Sequence, residues 1–270
     1  MIRLVSDSGS QVTPALRRQF GVDVVPLTVV VDGIPHLEGL SIDTAGITAA
    51  LRRGAALSTS TPSPGEFLQA YQRALDGGAT EVLSIHTGGA VSGTATAARL
   101  AAEMAPLPVQ VLDTGTASFP VTLCLWAAAD ILADGGTIEH AAAAARQVAS
   151  STGNVFVVGT LDLARRGGRV APGVEGTPVL ALIDGQMCAV AEVSGSESAV
   201  DAMADYVARH ASGQRLRIGV GHLAATELAE HLTDAVRCRV QIEKLVRYEV
   251  GPSIAVHTGL GTVGCVFHPI

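Results

Sequence analysis

The stretch Ser84-Ile85-His86-Thr87-Gly88-Gly89-Ala90-Val91-Ser92-Gly93-Thr94-Ala95-Thr96-Ala97-Ala98-Arg99-Leu100 decides how the chain reads. An apolar run from Glu81 to His86 ends in Thr87-Gly88-Gly89, and Ser92-Gly93-Thr94 then opens an Ala-rich segment of helical character. A strand, a glycine turn and a helix N-terminus in that order bring unpaired backbone N–H groups and a serine hydroxyl to one point beyond the strand end. This predicts an anion site, and Gly93 directly after Ser92 lets the backbone come close to a ligand. The spacing Gly89-x-x-Ser92-Gly93 departs from the G-x-S-x-G nucleophile elbow.

On either side the same texture continues. Ile2–Val5 reads as a strand ending in the turn cluster Asp7-Ser8-Gly9-Ser10, before a helix near Pro14–Phe20. Leu27–Val31 and Ile34–Leu37 flank Asp32-Gly33 and predict a hairpin. Val109–Leu112 and Val155–Gly159 are strands of the buried type, and helical segments fill Ser92–Met104, Phe119–Ala133 and Thr137–Ala149. Strands alternating with helices of this length imply a parallel sheet, with the strand ends at Asp7, Thr87 and Asp113 on one edge.

Beyond Ser150-Ser151-Thr152-Gly153-Asn154 the pattern changes. Pro178–Ile183 and Met187–Val193 flank an Asp184-Gly185 turn, two helix–strand pairs follow, and Ile254–His257 reads as a buried-type strand. The predicted fold class is therefore α/β in two domains. Residues 1–150 form an α/β domain on a parallel sheet with a hairpin near 27–38, and residues 151–270 form an α+β domain.

Composition excludes several function classes. The net charge is −7, with no basic cluster denser than Arg165-Arg166 and Arg169, so nucleic acid and anionic membranes are not expected partners. A single lysine, Lys244, stands against seventeen arginines, and no G-x-x-x-x-G-K-[ST] occurs, which argues against a nucleotide P-loop and Schiff-base chemistry. Cys124, Cys188, Cys238 and Cys265 are far apart and read as buried thiols of a reducing compartment, with no metal site. The N-terminus reads as a first strand rather than a signal peptide, and the apolar runs are too short to span a bilayer. A cytoplasmic protein without a cofactor is expected.

Four further stretches could carry chemistry. Ser58–Ser63 packs five hydroxyl residues into six positions and reads as a loop, whose hydroxyls would either donate to an anion or cap the helix that begins at Pro64. Asp7 and Asp113 each follow a strand, as helix caps or as ligand-facing groups. Gly259-Leu260-Gly261-Thr262-Val263-Gly264 spells G-x-G-x-x-G, but with six residues left after it no βαβ unit can follow, so dinucleotide binding is not expected. His257 just before it is either a structural histidine or a ligand contact.

In order along the chain, these pieces resemble the DegV family of bacterial fatty-acid-binding proteins. The matching residues are Asp7-Ser8; Thr59-Ser60-Thr61-Pro62-Ser63, like the family's T-S-x-P-S; Ser92-Gly93-Thr94; Asp113-Thr114; Gly167-Gly168-Arg169; and Gly251-Pro252 with His257-Thr258-Gly259-Leu260-Gly261. Leu260 stands where the family usually has proline, Thr177 where lysine is common, and Val193-Ser194-Gly195 lacks the usual arginine.

The resemblance implies two domains clasping one long-chain fatty acid, bound without catalysis. Its carboxylate would meet Thr59, Ser60, Ser92 and Gly93, with His257 and Arg169 nearby. It further implies a separate fatty acid kinase as partner, which converts the presented carboxylate to an acyl phosphate for phospholipid synthesis. The alternative is a serine hydrolase or acyl transferase with Ser92 as nucleophile and His257 as base.

Overall fold

The computed structural model describes the chain except Gly167, Arg169 and residues 172–177. It divides into two compact units, one of Met1–Ser41 with Ser58–Ser150 and one of Ile42–Leu57 with Ser151–Ile270. The second therefore includes an excursion, residues 42–57, that a single boundary after residue 150 does not contain.

In chain order the elements up to residue 151 are β1 (Ile2–Asp7), α1 (Pro14–Phe20), β2 (Val22–Val25), β3 (Thr28–Val31), β4 (Ile34–Leu37), α2 (Thr44–Arg52), β5 (Leu57–Ser60), α3 (Pro64–Asp76), β6 (Glu81–His86), α4 (Thr94–Ala102), β7 (Val109–Asp113), α5 (Phe119–Ala133) and α6 (Ile138–Ser151). All but α2 build the first unit, which centres on a four-stranded parallel sheet of order β2-β1-β6-β7. Ser6 pairs with Ile85 and His86 with Asp113, so the C-terminal ends of β1, β6 and β7 share one edge, as the sequence reading expects.

Alternation along the strands assigns the faces. Val5 and Val82 point to the side covered by α3 and α4, where they pack with Phe67, Ala70, Tyr71, Ala74, Ala97, Ala98 and Ala101. Four of those α3 residues recur at i, i+3, i+4 and i+7, a buried helical stripe. Its start is fixed chemically. Pro64 occupies the first turn, the Ser63 hydroxyl accepts from the Glu66 N–H, and the Glu66 carboxylate accepts from the Ser63 N–H, a capping box. On the opposite face α5, apolar on nearly every side, lies against β1 and β6.

The β3–β4 hairpin turns through Asp32 and Gly33 at φ 51° and 83°, the left-handed pair that a two-residue hairpin needs. It joins a three-stranded sheet of order β4-β3-β5. Here a sequence expectation fails: Ser58–Ser60 belong to a strand rather than an irregular loop. Pairing beside β3 supplies the backbone hydrogen bonds, and an edge strand with alternately exposed side chains tolerates serine and threonine.

The second unit continues with β8 (Gly153–Val157), α7 (Leu161–Arg166), β9 (Pro178–Ile183), β10 (Gln186–Glu192), α8 (Ser196–Ala211), β11 (Leu216–His222), α9 (Thr226–Arg237), β12 (Ile242–Glu249), α10 (Pro252–Thr258) and β13 (Val263–Pro269). Its six-stranded sheet has the order β10-β9-β8-β13-β11-β12, with β11 and β12 parallel and β13 antiparallel to both neighbours. Helices α8 and α9 cover one face through Val200, Met203, Val207, Leu232 and Val236. Arg239 locks the pair from beyond α9, donating to Asp201 and Asp205 of α8 at 2.7 and 2.8 Å. Helix α2 packs against α10, burying Ile47 and Ala50.

Ile254–His257 is helix, not strand, which corrects the sequence reading. Three apolar residues in a row fit either state. Pro252 in the first turn and Gly259 at the C-cap decide it, and burial of Pro252, Ser253, Ala255, Val256 and Thr258 follows the helical period.

The cysteine expectation is half right: Cys124 and Cys265 are buried, but Cys188 is half-buried and Cys238 exposed. Burial pushes the Cys124 and Cys265 thiols up to about 12. Among the described residues no helix is long and apolar enough to cross a membrane, and no group of three or more His, Cys, Asp or Glu residues could hold a metal ion.

Candidate ligand site

In the first unit the chain leaves β1 for β2 on one side of the sheet and leaves β6 for β7 on the other. The crevice beyond the C-terminal ends of β1 and β6 is thus a topological switch point, where open parallel sheets receive ligands. Asp7 and Thr87 meet there. The Asp7 carboxylate accepts the Thr87 N–H at 3.0 Å and the Thr87 hydroxyl at 2.9 Å.

The loop that follows is held on every side. The Gly88 N–H donates to the Thr116 carbonyl at 2.7 Å, and a Cβ on Gly88 would lie 2.4–2.6 Å from backbone atoms of Gly115 and Thr116. Asp113 accepts the N–H groups of Gly89 and Gly115, with Arg99 at 3.5 Å. Neither Asp7 nor Asp113 therefore caps the helix after its own strand; each instead fastens this loop edge. The Ser92 N–H donates back to the Gly88 carbonyl at 3.0 Å, so that group is not available to an anion as the sequence suggested. Helix α4 begins at Thr94, with Gly93 as its N-cap and no side-chain cap on its first turn.

Two hydroxyl-bearing loops come together at this edge. Gly93 is exposed, and a Cβ there would touch the Thr61 methyl at 3.7 Å, so the Ser92 and Thr61 segments are neighbours. The half-buried Ser92 shares a 2.8 Å hydrogen bond with the Thr94 hydroxyl. Thr59 is half-buried and Ser60 exposed. Ser63 contributes differently, since its hydroxyl is engaged in the α3 capping box.

In the second unit His257 is half-buried in the last turn of α10. Arg169 lies outside the described residues, as do Gly167 and Thr177. The G-x-G-x-x-G segment is a packing device. The Gly159 N–H donates to the Thr258 carbonyl, the Gly261 N–H to the Leu223 carbonyl, and a Cβ on Gly159 would fall 1.6 Å from the Leu260 carbonyl oxygen. Strand β13 follows it, where a dinucleotide site would need a helix.

Sequence reasoning missed one feature entirely. Asp7, Ser84 and His86 lie on the α3–α4 face of the sheet, two residues apart from Val5 and Val82. His86 Nδ1 sits 2.9 Å from Asp7 Oδ2, His86 Nε2 sits 2.6 Å from Ser84 Oγ, and Ser84 Oγ sits 3.0 Å from the Tyr71 hydroxyl. The connectivity is that of a serine–histidine–aspartate triad. The setting is not, because Asp7, Tyr71, Ser84 and His86 are all wholly buried and Tyr71 occupies the place a substrate would need. Burial pushes the Tyr71 phenol up to about 12 against the opposing pull of its Ser84 hydrogen bond. The available signal was the i, i+2 spacing of Ser84 and His86 in a strand that is otherwise apolar.

A parallel α/β unit with hydroxyl-bearing segments at its switch point and a mixed-sheet α+β unit define a two-unit α/β protein. The family is equally plain: residues 1–269 match the profile described as "Uncharacterised protein, DegV family", and the chain belongs to the DegV family. A DegV domain-containing protein of Streptomyces coelicolor is 36% identical over 273 residues, covering 98% of this chain and 97% of that one. Among solved structures, a DegV family protein from Thermus thermophilus, described for its fatty acid binding, superposes with a TM-score of 0.93 at 32% identity, covering 100% of this chain and 99% of its own. The DegV lipid binding protein of Thermotoga maritima has the same fold, with a TM-score of 0.91 at 24% identity and coverage of 100% and 98%.

Proposed function

We propose that this chain binds a long-chain fatty acid and holds its carboxylate at the hydroxyl-bearing edge of the first unit, through Thr59, Ser60, Ser92 and the backbone at Gly93. The observation that carries this reading is the meeting of the Ser92 and Thr61 segments at the switch point, with Gly93 exposed between them. Full-length likeness to the Thermus thermophilus protein supports the ligand class.

The energetics are consistent. Burying about fifteen methylenes contributes up to ~12 kcal/mol at ~0.8 kcal/mol each, before ordering costs. A buried carboxylate costs several kcal/mol unless paired, and two or three charge-assisted donors at roughly 1.5–3 kcal/mol each offset that. The acyl chain supplies affinity and the hydroxyls supply orientation. Hydroxyl donors bring no charge, so the carboxylate stays removable. This suits presentation to a separate fatty acid kinase that forms the acyl phosphate, and we include that partner in the proposal.

Native mass spectrometry of protein purified from cells tests the reading. A bound species of fatty-acid mass, exchangeable with added palmitate or oleate and held more weakly by Ser92→Ala, is expected. Apo protein that takes up neither acid refutes it. The part of His257 is a separate proposal, checked by the affinity of His257→Ala. The hydrolase reading has less support, because the hydroxyl beside Ser92 is that of Thr94, which is no base. Stable labelling of Ser92 by a fluorophosphonate would reverse that preference.

A further inference from the structure

The buried chain from Asp7 to Tyr71 has no part in the site as described, yet it joins β6 and α3, the elements that adjoin the site's two hydroxyl segments. A carboxylate can only accept, which orders the hydrogens in one direction. Thr87 donates twice to Asp7, and His86 donates to Asp7 through Nδ1. His86 Nε2 is then free to accept from Ser84, and Ser84 to accept from Tyr71. The Tyr71 hydroxyl also lies 3.4 Å from the Ala98 carbonyl of α4.

One connected network thus ties the start of the Thr87–Gly93 loop and the strand before it to helix α3, with the Ala98 carbonyl of α4 beside the Tyr71 hydroxyl. Helix α3 is the one the Thr59–Ser63 segment leads into. The Thr87–Gly93 loop is fixed at its start through Asp7, and the Thr59–Ser63 segment adjoins the network where it enters α3.

We infer that Asp7, His86, Ser84 and Tyr71 are positioning residues, which set the spacing between the Ser92 and Thr59–Thr61 hydroxyls and so select a carboxylate headgroup. This rests on the proposed fatty-acid function and deepens it. Burial supports the assignment. Four wholly buried polar side chains in a core otherwise built of Ala, Val, Leu and Phe are costly unless fully satisfied, and hydrogen-bonded networks of this kind fix a unique geometry. An apolar set would fill the same space but could not hold Thr87 or align α3 with β6 by direction.

The test is headgroup-selective binding. Dodecanoate and dodecanol share a chain and differ in the group the network is inferred to place. Tyr71→Phe keeps the ring and leaves Ser84 able to donate to His86, so it removes one tie without leaving an unpaired donor. It is expected to weaken dodecanoate binding about tenfold, a change of about 1.4 kcal/mol, and to leave dodecanol binding unchanged. In the Ser92→Ala background the same substitution is expected to cost nothing further, because the hydroxyl it positions is gone. Ser84→Ala gives the same pattern should Tyr71→Phe fold poorly. Equal losses for acid and alcohol, no loss at all, or full additivity with Ser92→Ala overturns the inference while leaving the fatty-acid reading intact. A wild-type protein that binds neither ligand overturns both.

Discussion

Gly88 offers the sharpest test of how the loop at the sheet edge is built. Its Cβ would stand 2.4 Å from the Gly115 carbonyl carbon, 2.5 Å from Gly115 Cα and 2.6 Å from the Thr116 nitrogen, all of them backbone atoms that cannot swing aside. Gly89 is a natural control, because its Cβ would meet only the Asp113 carboxylate, at 2.8 Å, and that group can rotate. Neither glycine sits at a positive φ, so alanine meets no backbone strain at either position. Overpacking costs about 1–3 kcal/mol, and forcing the two turns apart loses the Gly88-to-Thr116 hydrogen bond, about 1 kcal/mol more. Gly88→Ala should therefore destabilise by about 2–4 kcal/mol, and Gly89→Ala by about 1 kcal/mol. The entropy that alanine removes from the unfolded chain is similar in both and cancels in the difference. Urea unfolding followed by fluorescence reads the right unit, because the single tryptophan, Trp126, is buried in α5. Equal costs for the two variants, or a Gly88→Ala protein within about 0.5 kcal/mol of wild type, would refute the close approach as a determinant of the loop.

Three other expectations follow from the same structure. The raised thiols have a definite sign: Cys124 and Cys265 stay protonated in the folded protein while their unfolded counterparts ionise above pH 9, so stability is intact below pH 9 and falls between pH 9 and 12. The loss is about 1.4 kcal/mol per thiol for each pH unit in that window, and a Cys124→Ala/Cys265→Ala protein should flatten it. A thiol reagent at neutral pH should label Cys238 quickly, Cys188 slowly and the other two only in denaturant; rapid labelling of all four would contradict their burial. Ser63→Ala, which removes a capping box, should cost about 1 kcal/mol of stability with little change in fatty-acid affinity, whereas Ser92→Ala should do the reverse. Affinity loss in both would place Ser63 among the ligand donors.

The parallel sheet was legible because β1, β6 and β7 are short, largely apolar segments separated by helices, and the Asp32-Gly33 hairpin because its turn admits few other residues. Strand β5 was not, since nothing in Leu57-Ser58-Thr59-Ser60 itself favours a strand; its neighbour β3 does. Helix α10 was misread from the short segment Ile254–His257, whose flanking Pro252 and Gly259 carried the decisive information. At the site, hydroxyl and glycine types could be read but their long-range engagement could not. The Ser92 N–H to Gly88 bond is a local turn and the Ser63–Glu66 capping box follows an S-x-x-E spacing, whereas the reach of Asp7 across to Thr87 is a tertiary fact. The buried polar chain was hidden for the same reason, because its members come from β1, α3 and β6, with sequence separations of up to 79.

The passage of α2 into the second unit has an evolutionary and a practical consequence. The polypeptide changes unit after Ser41, after Leu57 and after Ser150, so neither unit is a continuous piece of gene. A fragment ending at residue 150 would carry α2 without α10 and uncover Ile47, and the complementary fragment would lack a helix that its α10 packs against. Neither could be shuffled, duplicated or lost without damaging the other. The two units are bound to be inherited together, and recombination within the family is expected to exchange whole chains rather than halves.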